Sequence, residues 1–403
     1  MIKHVTIKNF KGIKSLGITP KKFNVLVGRN NTGKTSILEA ISACMNPNLI
    51  RDLLMYKYDS FFINYSTDKA SIKIDTEDNK IKRVSIRKAT PEQILNLLKN
   101  DLLELVSNKD EVYIGIDKYI AIENSIKDLD KDKIYQVSLD SIVVLVNNSG
   151  KQTILPGESY KELLTDALSK LYDTHTSKNP KDPAKHTPTG NMIKHDYSLA
   201  AYLYFSRKSR KNSFIIDKKN NITFINEPLI STGNIEKSQK RALQLENMIK
   251  HDNIIPNLIR FNFDSLVLDT GDETKEVPME SMGDGFKSLI SILLKLYENE
   301  SDVILIEEPE NHMHPGYIRQ LIHYIISIAN KSQIQLFITT HSQDFLYMLT
   351  SNDALPENDR EFLKKELLIL QLSKWKDDTI LSNLDYNDSV SDMEDLLLDL
   401  RGI

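Results

Sequence analysis

The sequence has little of what marks several special classes of protein. Its 403 residues include one cysteine, Cys44, and its 52 Lys and Arg nearly balance 56 Asp and Glu. A lone cysteine cannot form an internal disulfide, which argues against a disulfide-stapled secreted scaffold. The formal net charge of −4 argues against a chain that is basic throughout and binds nucleic acid by charge alone. No apolar run approaches the length of about 18 residues that a membrane-spanning helix needs.

The remaining composition is that of an ordinary globular protein. Apolar residues make up 40% of the chain and charged residues 27%, and the length predicts two to three units of about 150 residues. The opening MIKHVTIKNF alternates polar and apolar residues and lacks the apolar core of a signal peptide. We therefore expect a soluble cytoplasmic protein with no membrane partner. Because neither a repeat period nor sustained heptads are present, no long coiled coil is expected.

A glycine-rich loop is the most specific motif of the sequence. Residues 28–35 read GRNNTGKT and match G-x-x-x-x-G-K-[ST] at each fixed position. The apolar run Phe23–Val27 precedes the loop and a helical pattern follows it, which is the context in which backbone N–H groups surround phosphate. Lys34 would reach the β- and γ-phosphates and the Thr35 hydroxyl would bind Mg²⁺. We predict that ATP and Mg²⁺ bind here, contacting Gly28, Asn30, Asn31, Gly33, Lys34, Thr35 and Ser36.

Two later apolar strands each end in polar residues. Val303–Ile306 leads into Glu307 and Glu308, and the segment that starts at Gln335 leads to His341. Two carboxylates at the carboxyl end of a buried strand are costly unless a cation or a proton-transfer step uses them. We predict that Glu307 belongs to the Mg²⁺ shell and that Glu308 is the base that polarises the attacking water. His341 would contact the γ-phosphate or that water.

A further anion-binding segment is predicted before the helix that starts near residue 286. Ser281, Gly283 and Gly285 occupy the sequence SMGDG, and a serine and two glycines at a helix N-terminus can bind an anion. A plain helix cap is the simpler alternative.

Alternating helices and strands after Ser281 predict a parallel α/β sheet, whereas the first part of the chain is rich in strands. The last 18 residues are acidic and favour a short amphipathic helix through Val390, Met393, Leu396, Leu397 and Leu400. The other predicted elements include helices at 91–106, 160–172 and 235–252, and short strands at Glu111–Ile116, Ile134–Ser138 and Ser141–Val146.

The order of these motifs resembles the ABC-type ATPases of the SMC/Rad50/RecF group. It is closest to the OLD-like AAA15/AAA21 branch, many members of which act in antiphage defence, and it covers roughly residues 1–75 and 255–350. The segments IKNFKGIKSLGI and LLDLRGI are also similar to that branch. The resemblance implies an α/β fold, an ABC-type ATPase head (P-loop NTPase) with a strand-rich lobe and an inserted helical subdomain.

The resemblance also implies roles for the motif residues. Two heads sandwich two ATP molecules, so the chain would form a homodimer or a higher homo-oligomer. Lys34 and Thr35 would act in cis, whereas the 281–285 segment would contact the γ-phosphate held by the partner. Glu308 would be the catalytic carboxylate and His341 the switch histidine.

Two departures from the family pattern are visible. Glu307 stands where an aspartate is usual, and SMGDG replaces LSGGQ, which weakens or alters the expected activation in trans. The Q-loop glutamine is not identified by its context, and Gln152 is a candidate on order alone. His312 and His314 form an H-x-H pair, which we interpret as an inter-subunit loop in preference to a zinc site.

The predicted domains are as follows. The first part of the head, with the phosphate loop and the strand-rich lobe, covers residues 1–155, and a mainly helical insertion covers 156–255. The second part of the head covers 256–350, and a C-terminal extension with the acidic helix covers 351–403.

Three functions remain open at this point. We favour an ATPase sensor or scaffold that controls a separate effector, such as a nuclease or toxin, in antiphage defence. A DNA-repair ATPase of the RecF or Rad50 type is the alternative, with DNA contact through the basic segment Arg207–Lys211 and Lys237, Lys240 and Arg241. The long insertion argues against a transporter subunit. OLD nucleases carry a TOPRIM domain, and because only 62 residues follow His341 we expect no intrinsic nuclease.

Overall fold

The computed structural model describes most of the chain. The described residues are 1–47, 49–50, 62–107, 116–146, 152–176, 222–225, 239–251, 254–255, 257–298, 301–351, 354–376, 378–395 and 399–401.

Strands and helices are numbered here in chain order over the described residues. The strands are β1 (Ile2–Phe10), β2 (Ile13–Ile18), β3 (Phe23–Gly28), β4 (Lys69–Thr76), β5 (Ile81–Lys88), β6 (Ile142–Val146), β7 (Gln152–Leu155), β8 (Ile222–Ile225), β9 (Leu258–Phe261), β10 (Ser265–Asp269), β11 (Thr274–Pro278), β12 (Val303–Glu307), β13 (Gln335–Thr339), β14 (Leu367–Trp375) and β15 (Asp378–Leu384). The helices are α1 (Lys34–Met45), α2 (Pro91–Ser107), α3 (Ile116–Lys127), α4 (Lys131–Asp140), α5 (Tyr160–Thr176), α6 (Gln239–His251), α7 (Asp284–Glu298), α8 (Pro315–Lys331), α9 (Gln343–Thr350), α10 (Glu357–Glu366) and α11 (Tyr386–Val390).

A six-stranded central sheet carries the phosphate loop. Its order is β15-β14-β3-β13-β12-β8, and every neighbouring pair is parallel except β14 and β15, which are antiparallel. Because consecutive parallel strands are joined by helices, their carboxyl ends meet at one edge of the sheet. The ends of β3, β12 and β13 are therefore neighbours, although they are far apart in the sequence.

Both faces of this sheet are covered. Leu26 of β3 packs with α1 and the lobe that contains β1, whereas Val25 and Val27 pack on the other face with α7 and α8. Successive side chains of a strand point to opposite faces, so a strand covered on both sides is a continuous apolar run, as this one is.

The strand-rich lobe is a second, antiparallel sheet of order β2-β1-β4-β5-β6-β7. Helix α1 lies between this sheet and the central one, and its Ile37 and Ile41 are fully buried there. Helices α2 to α5 form a separate core against the opposite face of the lobe, around Leu98, Leu163 and Val143. A small sheet of order β11-β10-β9 leads to α7. The α/β class and the strand-rich lobe are thus confirmed. The helical core of α2 to α5 lies within residues 91–176, and because most of the predicted helical insertion at 156–255 lies outside the described residues, that insertion stays a prediction.

One predicted strand is wrong. Residues 134–138 lie inside α4, where Asp130 caps the helix by accepting a hydrogen bond from the N–H of Asp132 at 2.9 Å. Ile134, Val137 and Ser138 are buried with helical spacing, which prevails over the short alternating pattern. The strand predicted at 111–116 lies outside the described residues, except for Ile116, which begins α3.

The part of the chain after residue 350 contributes to the central sheet. Strand β14 pairs with β3 over residues 367–372, and β15 forms the antiparallel edge. Val390 and Met393 of the predicted acidic helix pack against the core from α11 and a π-helical turn, whereas Leu396 and Leu397 lie outside the described residues. The proposed four-part division of the chain stays a prediction. Among the described helices, none is long and apolar enough to cross a membrane.

Candidate nucleotide-binding site

The phosphate loop joins β3 to α1, and its backbone takes conformations that favour glycine. Gly28 has φ of +143° and Gly33 has φ of +104°, and Asn31 is also left-handed at 62°. A Cβ atom at Gly28 would lie 2.3 Å from the backbone oxygen of Leu372 in β14. Since no real Cβ approaches a backbone atom that closely, only glycine fits at this position.

One side chain of the loop and one from a distant strand hold the loop backbone in place. The hydroxyl of Thr32 donates to the backbone oxygen of Arg29 at 2.8 Å. The buried hydroxyl of Thr379, on β15, donates to the backbone oxygen of Thr32 at 3.0 Å. The edge strand therefore supports the loop as well as the sheet.

Lys34 is 5% exposed and points back into the loop. Its Nζ donates to the backbone oxygens of Gly28 at 2.8 Å and Arg29 at 2.9 Å. Burial lowers the pKa of Lys34, and the nearby carboxylates of Glu308 and Glu310 oppose that shift. The ammonium group is thus bound by two neutral backbone oxygens, which charged phosphate oxygens can replace.

Thr35 and Glu307 meet across the sheet edge. The Thr35 hydroxyl at the start of α1 donates to Oε1 of Glu307 at the end of β12. Mg²⁺ is usually held by one or two carboxylates together with phosphate oxygens and water, so this hydroxyl and carboxylate fit the ion. Within the described residues there is no cluster of three or more His, Cys, Asp or Glu side chains arranged for a metal.

Glu308 is held in an unusual backbone conformation. Its φ of 44° is left-handed, and its N–H donates to both the backbone oxygen (3.0 Å) and the hydroxyl (3.2 Å) of Thr339. Such a conformation costs roughly 1–3 kcal/mol in a residue other than glycine. The side chain receives a hydrogen bond from Asn311 at 3.2 Å, and Oε1 lies 2.6 Å from Nε2 of His341. The predicted base and the predicted switch histidine are in direct contact.

Glu310, which was not among the predicted site residues, organises the loop that carries His341. Its Oε1 accepts hydrogen bonds from the hydroxyl of Thr340 (2.6 Å) and from the N–H groups of His341 (2.9 Å) and Ser342 (3.2 Å). Among the described residues Oε2 has no hydrogen-bond partner, and burial raises the pKa of this carboxyl. In the sequence, this residue is visible only as a third glutamate between Glu308 and the histidines of EEPENHMHP.

An open pocket of about 590 Å³ lies beside the phosphate loop, within the usual range for small-molecule sites. Its wall consists of Gly28, Arg29, Asn30, Glu308, His341 and Arg401. Arg401 was not among the predicted site residues, although it lies in the segment LLDLRGI.

The predicted anion-binding segment at 281–285 does not line this pocket. Ser281 and Gly283 are exposed, in a short 3-10 turn and at the start of α7. A Cβ at Gly285 would lie 2.6 Å from the backbone oxygen of His312, so the helix start packs closely on the turn after β12. The segment is thus available to another molecule, and its role stays a prediction.

The remaining candidates are placed as follows. Asn31 is exposed on the loop, and Ser36 is half-buried in the first turn of α1. His314 caps α8 by accepting from the N–H of Gly316 at 3.2 Å, which is a structural use of that ring. Gln152 lies on β7 and accepts from Arg87 and Gln93, each at 3.2 Å, and it is not part of the pocket wall. The basic segment 207–211 and Lys237 lie outside the described residues, as do the side chains of residues 240 and 241.

Comparisons with known proteins give a family and two relatives. The model of the AAA ATPase domain family (AAA_15) matches residues 1–346. An ATP/GTP phosphatase of Helicobacter pylori is 23% identical over 358 residues, which are 87% of each protein. The endonuclease GajA of Bacillus cereus is 24% identical over 403 aligned residues, 86% of this chain and 55% of that protein. The chain thus spans about half the length of GajA.

Solved structures of SMC heads also align with the chain. A head bound to the C-winged helix domain of ScpA aligns over 96% of this chain and 98% of its own, with 12% identity and a TM-score of 0.45. The SMC head domain from Thermotoga maritima aligns with a TM-score of 0.43 and 10% identity. The described fold is of the α/β class, with a phosphate loop between a parallel strand and a helix, whereas the ABC-type head stays a prediction from the motifs. Since the family model matches the chain from residue 1 to residue 346, this protein belongs to the AAA ATPase domain family, AAA_15.

Proposed function

We propose that this chain binds ATP with Mg²⁺, hydrolyses it between two copies of itself, and uses its nucleotide state to control a separate effector protein. One observation carries the proposal. The phosphate loop, Glu307, Glu308 and His341 meet where parallel strands of the central sheet end, and the loop, Glu308 and His341 line one pocket there.

Binding would use the phosphate loop and its lysine. Lys34 would exchange the backbone oxygens of Gly28 and Arg29 for the β- and γ-phosphate oxygens. Thr35 and Glu307 would hold Mg²⁺, which neutralises charge on the phosphates when it is bound. The predicted contacts of Asn30, Asn31 and Ser36 belong to the same proposal.

Hydrolysis would use Glu308 as the base. Its carboxylate would take a proton from a water whose oxygen attacks the γ-phosphorus in line, while the bond to the β–γ bridging oxygen breaks and ADP leaves. The contact between Glu308 and His341 supports the assignment, because the histidine is placed to orient that carboxylate or to contact the γ-phosphate.

A second copy of the chain would complete the site. Ser281 and Gly283 are exposed and do not line the pocket of their own chain, as expected if they act on the nucleotide of a partner. The start of α7 would then supply N–H donors to the partner's γ-phosphate.

Similarity to a known nuclease supports an effector of the nuclease or toxin class. One matched relative is itself an endonuclease, and the chain spans 55% of that protein. The antiphage role rests on the resemblance of the motifs to the OLD-like branch. We propose that the nuclease or toxin activity resides in a separate polypeptide and that this chain is its ATPase.

Mass photometry of the chain co-expressed with its neighbouring genes tests this function. Wild type should form a complex that contains a second gene product and changes mass on addition of ATP and Mg²⁺. Lys34→Ala should lose the change, whereas Lys331→Ala, exposed at the end of α8, should keep it. A lone dimer that forms only with ATP would overturn the effector role, and retention on DNA at about 150 mM salt would then favour the repair-type ATPase.

A further inference from the structure

We propose that Arg401 is a phosphate-binding residue of the nucleotide pocket, held in place by Asp399. The inference rests on the proposed binding of ATP and adds a contact to it. Arg401 lies beyond residue 346, where the match to the family model ends.

Arg401 lies where a nucleotide's terminal phosphate is expected. It forms the pocket wall together with Gly28 and Asn30 of the phosphate loop and with Glu308 and His341. The last two residues are assigned to the attacking water and the γ-phosphate. A cation on the same wall is therefore at the γ-phosphate end of the pocket.

The segment that carries Arg401 is anchored to the central sheet. Leu400 is 2% exposed, and its backbone oxygen accepts a hydrogen bond from Nε2 of Gln371 at 3.0 Å. Gln371 lies on β14 opposite Val27 of β3, the residue before Gly28. The position of Arg401 is thus tied to the strand that leads into the phosphate loop.

Asp399 binds the Nε–Nη2 edge of the guanidinium, and Arg401 is part of the pocket wall. Its oxygens accept from Nε at 2.8 and 2.9 Å, and Oδ2 also accepts from Nη2. Nη1 is turned toward the backbone oxygen of His341, at a long 3.5 Å. Arginine offers five N–H donors in a planar fork, so the Nη1–Nη2 edge can still bind a phosphate while Asp399 keeps its own bonds.

The charges of this pair fit such a role. The hydrogen bonds with Arg401 lower the pKa of Asp399, and the same bonds raise that of the guanidinium. Both groups remain ionised, and the side chain of Arg401 is 30% exposed. A cation that is fixed but partly hydrated can exchange its water for phosphate oxygens without breaking its own ion pair.

The alternative is a purely structural arginine that closes the chain onto the loop of His341. The two roles differ in one measurable respect. A phosphate contact at the γ end strengthens ATP binding far more than ADP binding, whereas a structural contact affects both nucleotides, or neither, to the same extent.

Isothermal titration calorimetry with AMP-PNP and with ADP, each with Mg²⁺, tests the inference. Arg401→Ala should weaken AMP-PNP binding by about 10-fold or more and ADP binding by less than about 2-fold, since a hydrogen bond to a charged group is lost. Arg401→Lys should restore part of the affinity, because it keeps the charge and loses the fork. The AMP-PNP affinity of Asp399→Ala should fall between those of Arg401→Ala and wild type. Arg319→Ala, exposed on α8, is the matched control and should bind like wild type.

Equal losses for both nucleotides, or no loss, would overturn the role of Arg401. Binding of ADP by the same variant reports that its pocket is folded, and Arg401→Gln replaces Arg401→Ala if the latter does not fold. If wild type binds AMP-PNP, Lys34→Ala does not, and Arg401→Ala matches wild type, this inference alone fails. If wild type does not bind AMP-PNP, the proposed function fails with it.

Discussion

Single side chains define the geometry at the end of β12. The N–H of Glu308 donates to Thr339 on β13, which holds a left-handed residue at the sheet edge. The carboxylate of Glu310, two residues on, binds the loop after β13. The turn after β12 therefore fixes two neighbouring parts of the site at once.

Replacing Glu308 by glutamine should separate binding from hydrolysis. We expect Glu308→Gln to bind ATP, to hydrolyse it more slowly by at least about 10²-fold because the proposed general base is lost, and to accumulate as a dimer with trapped ATP. Phosphate release and mass photometry measure the two effects. Glu357→Gln, exposed at the start of α10, should behave like wild type. Normal hydrolysis by Glu308→Gln would show that another group is the base.

Removing the Glu310 side chain should release the loop of His341. Glu310→Ala takes the acceptor from the Thr340 hydroxyl and the His341 N–H, whereas the Ser342 N–H keeps its bond to the Thr340 hydroxyl. We therefore expect a loss of about 1–3 kcal/mol in the free energy of unfolding and slower ATP hydrolysis. Glu310→Gln keeps an acceptor oxygen and should lose less unfolding free energy and less ATPase activity. Chemical denaturation and phosphate release measure the effects. If the alanine variant matched Glu357→Ala in both measurements, the positioning role would be refuted.

The pH dependence of stability should also report on Glu310. Burial raises the pKa of its carboxyl in the folded state, so ionisation is less favourable there than in the unfolded chain. The stability that the neutral acid contributes is present below the pKa of the unfolded chain and is lost as the pH rises through the higher folded pKa. Between those values, the free energy of unfolding of wild type should fall relative to that of Glu310→Gln. A constant difference between them would contradict this.

At the scale of elements, the start of α7 is coupled to the turn after β12. Gly285 packs against the backbone of His312 and Met313, whereas a Cβ at Gly283 would meet nothing within 4 Å. Two glycines in one short segment thus have different surroundings. Gly285 lies between two elements of one chain, whereas Gly283 is exposed.

These glycines make a matched pair of variants. Gly285→Ala should cost about 1–3 kcal/mol of unfolding free energy through the close contact with the backbone. Gly283→Ala should leave the stability within about 1 kcal/mol of wild type, and if the segment acts in trans it should lower ATP-dependent dimerisation and hydrolysis. Thermal unfolding, mass photometry and phosphate release distinguish the two. Wild-type dimerisation and hydrolysis by Gly283→Ala would argue against a contact in trans.

At the scale of the whole molecule, one buried glutamine joins the two large sheets. Gln335 is 1% exposed at the start of β13 and accepts a hydrogen bond from the N–H of Ile2 on β1 at 2.7 Å. It also donates to the backbone oxygens of Ile2 at 3.1 Å and Lys21 at 2.9 Å. The antiparallel lobe is thereby tied to the parallel sheet near the strand that bears the phosphate loop.

Gln335→Ala should weaken this junction. The buried N–H and oxygen of Ile2 lose this partner, whereas the oxygen of Lys21 keeps a bond from Asn24, so we expect the free energy of unfolding to fall by about 1–3 kcal/mol. Urea unfolding measures the change, and a separate early transition of the lobe would show that the glutamine couples the two sheets. Gln343→Ala, exposed at the start of α9, is the control and should unfold like wild type.

The sequence by itself determined the phosphate loop, the two carboxylates after β12 and the histidine after β13. Each is a local pattern in which an apolar strand runs directly into polar residues, so spacing along the chain was enough to find it. The paired burial of Ile134 and Val137 was missed, because a five-residue run is consistent with both a strand and a helix.

Only the tertiary structure decided which distant residues complete the site. Thr379 supports a loop residue 347 positions away, and Arg401 reaches the carbonyl of His341 across 60 positions. Strand β14 joins β3 at the centre of the sheet, although nothing near Leu367–Trp375 resembles a phosphate-binding motif. Such contacts depend on strand order and on which edge of the sheet a segment reaches, and neither leaves a period or a spacing in the sequence.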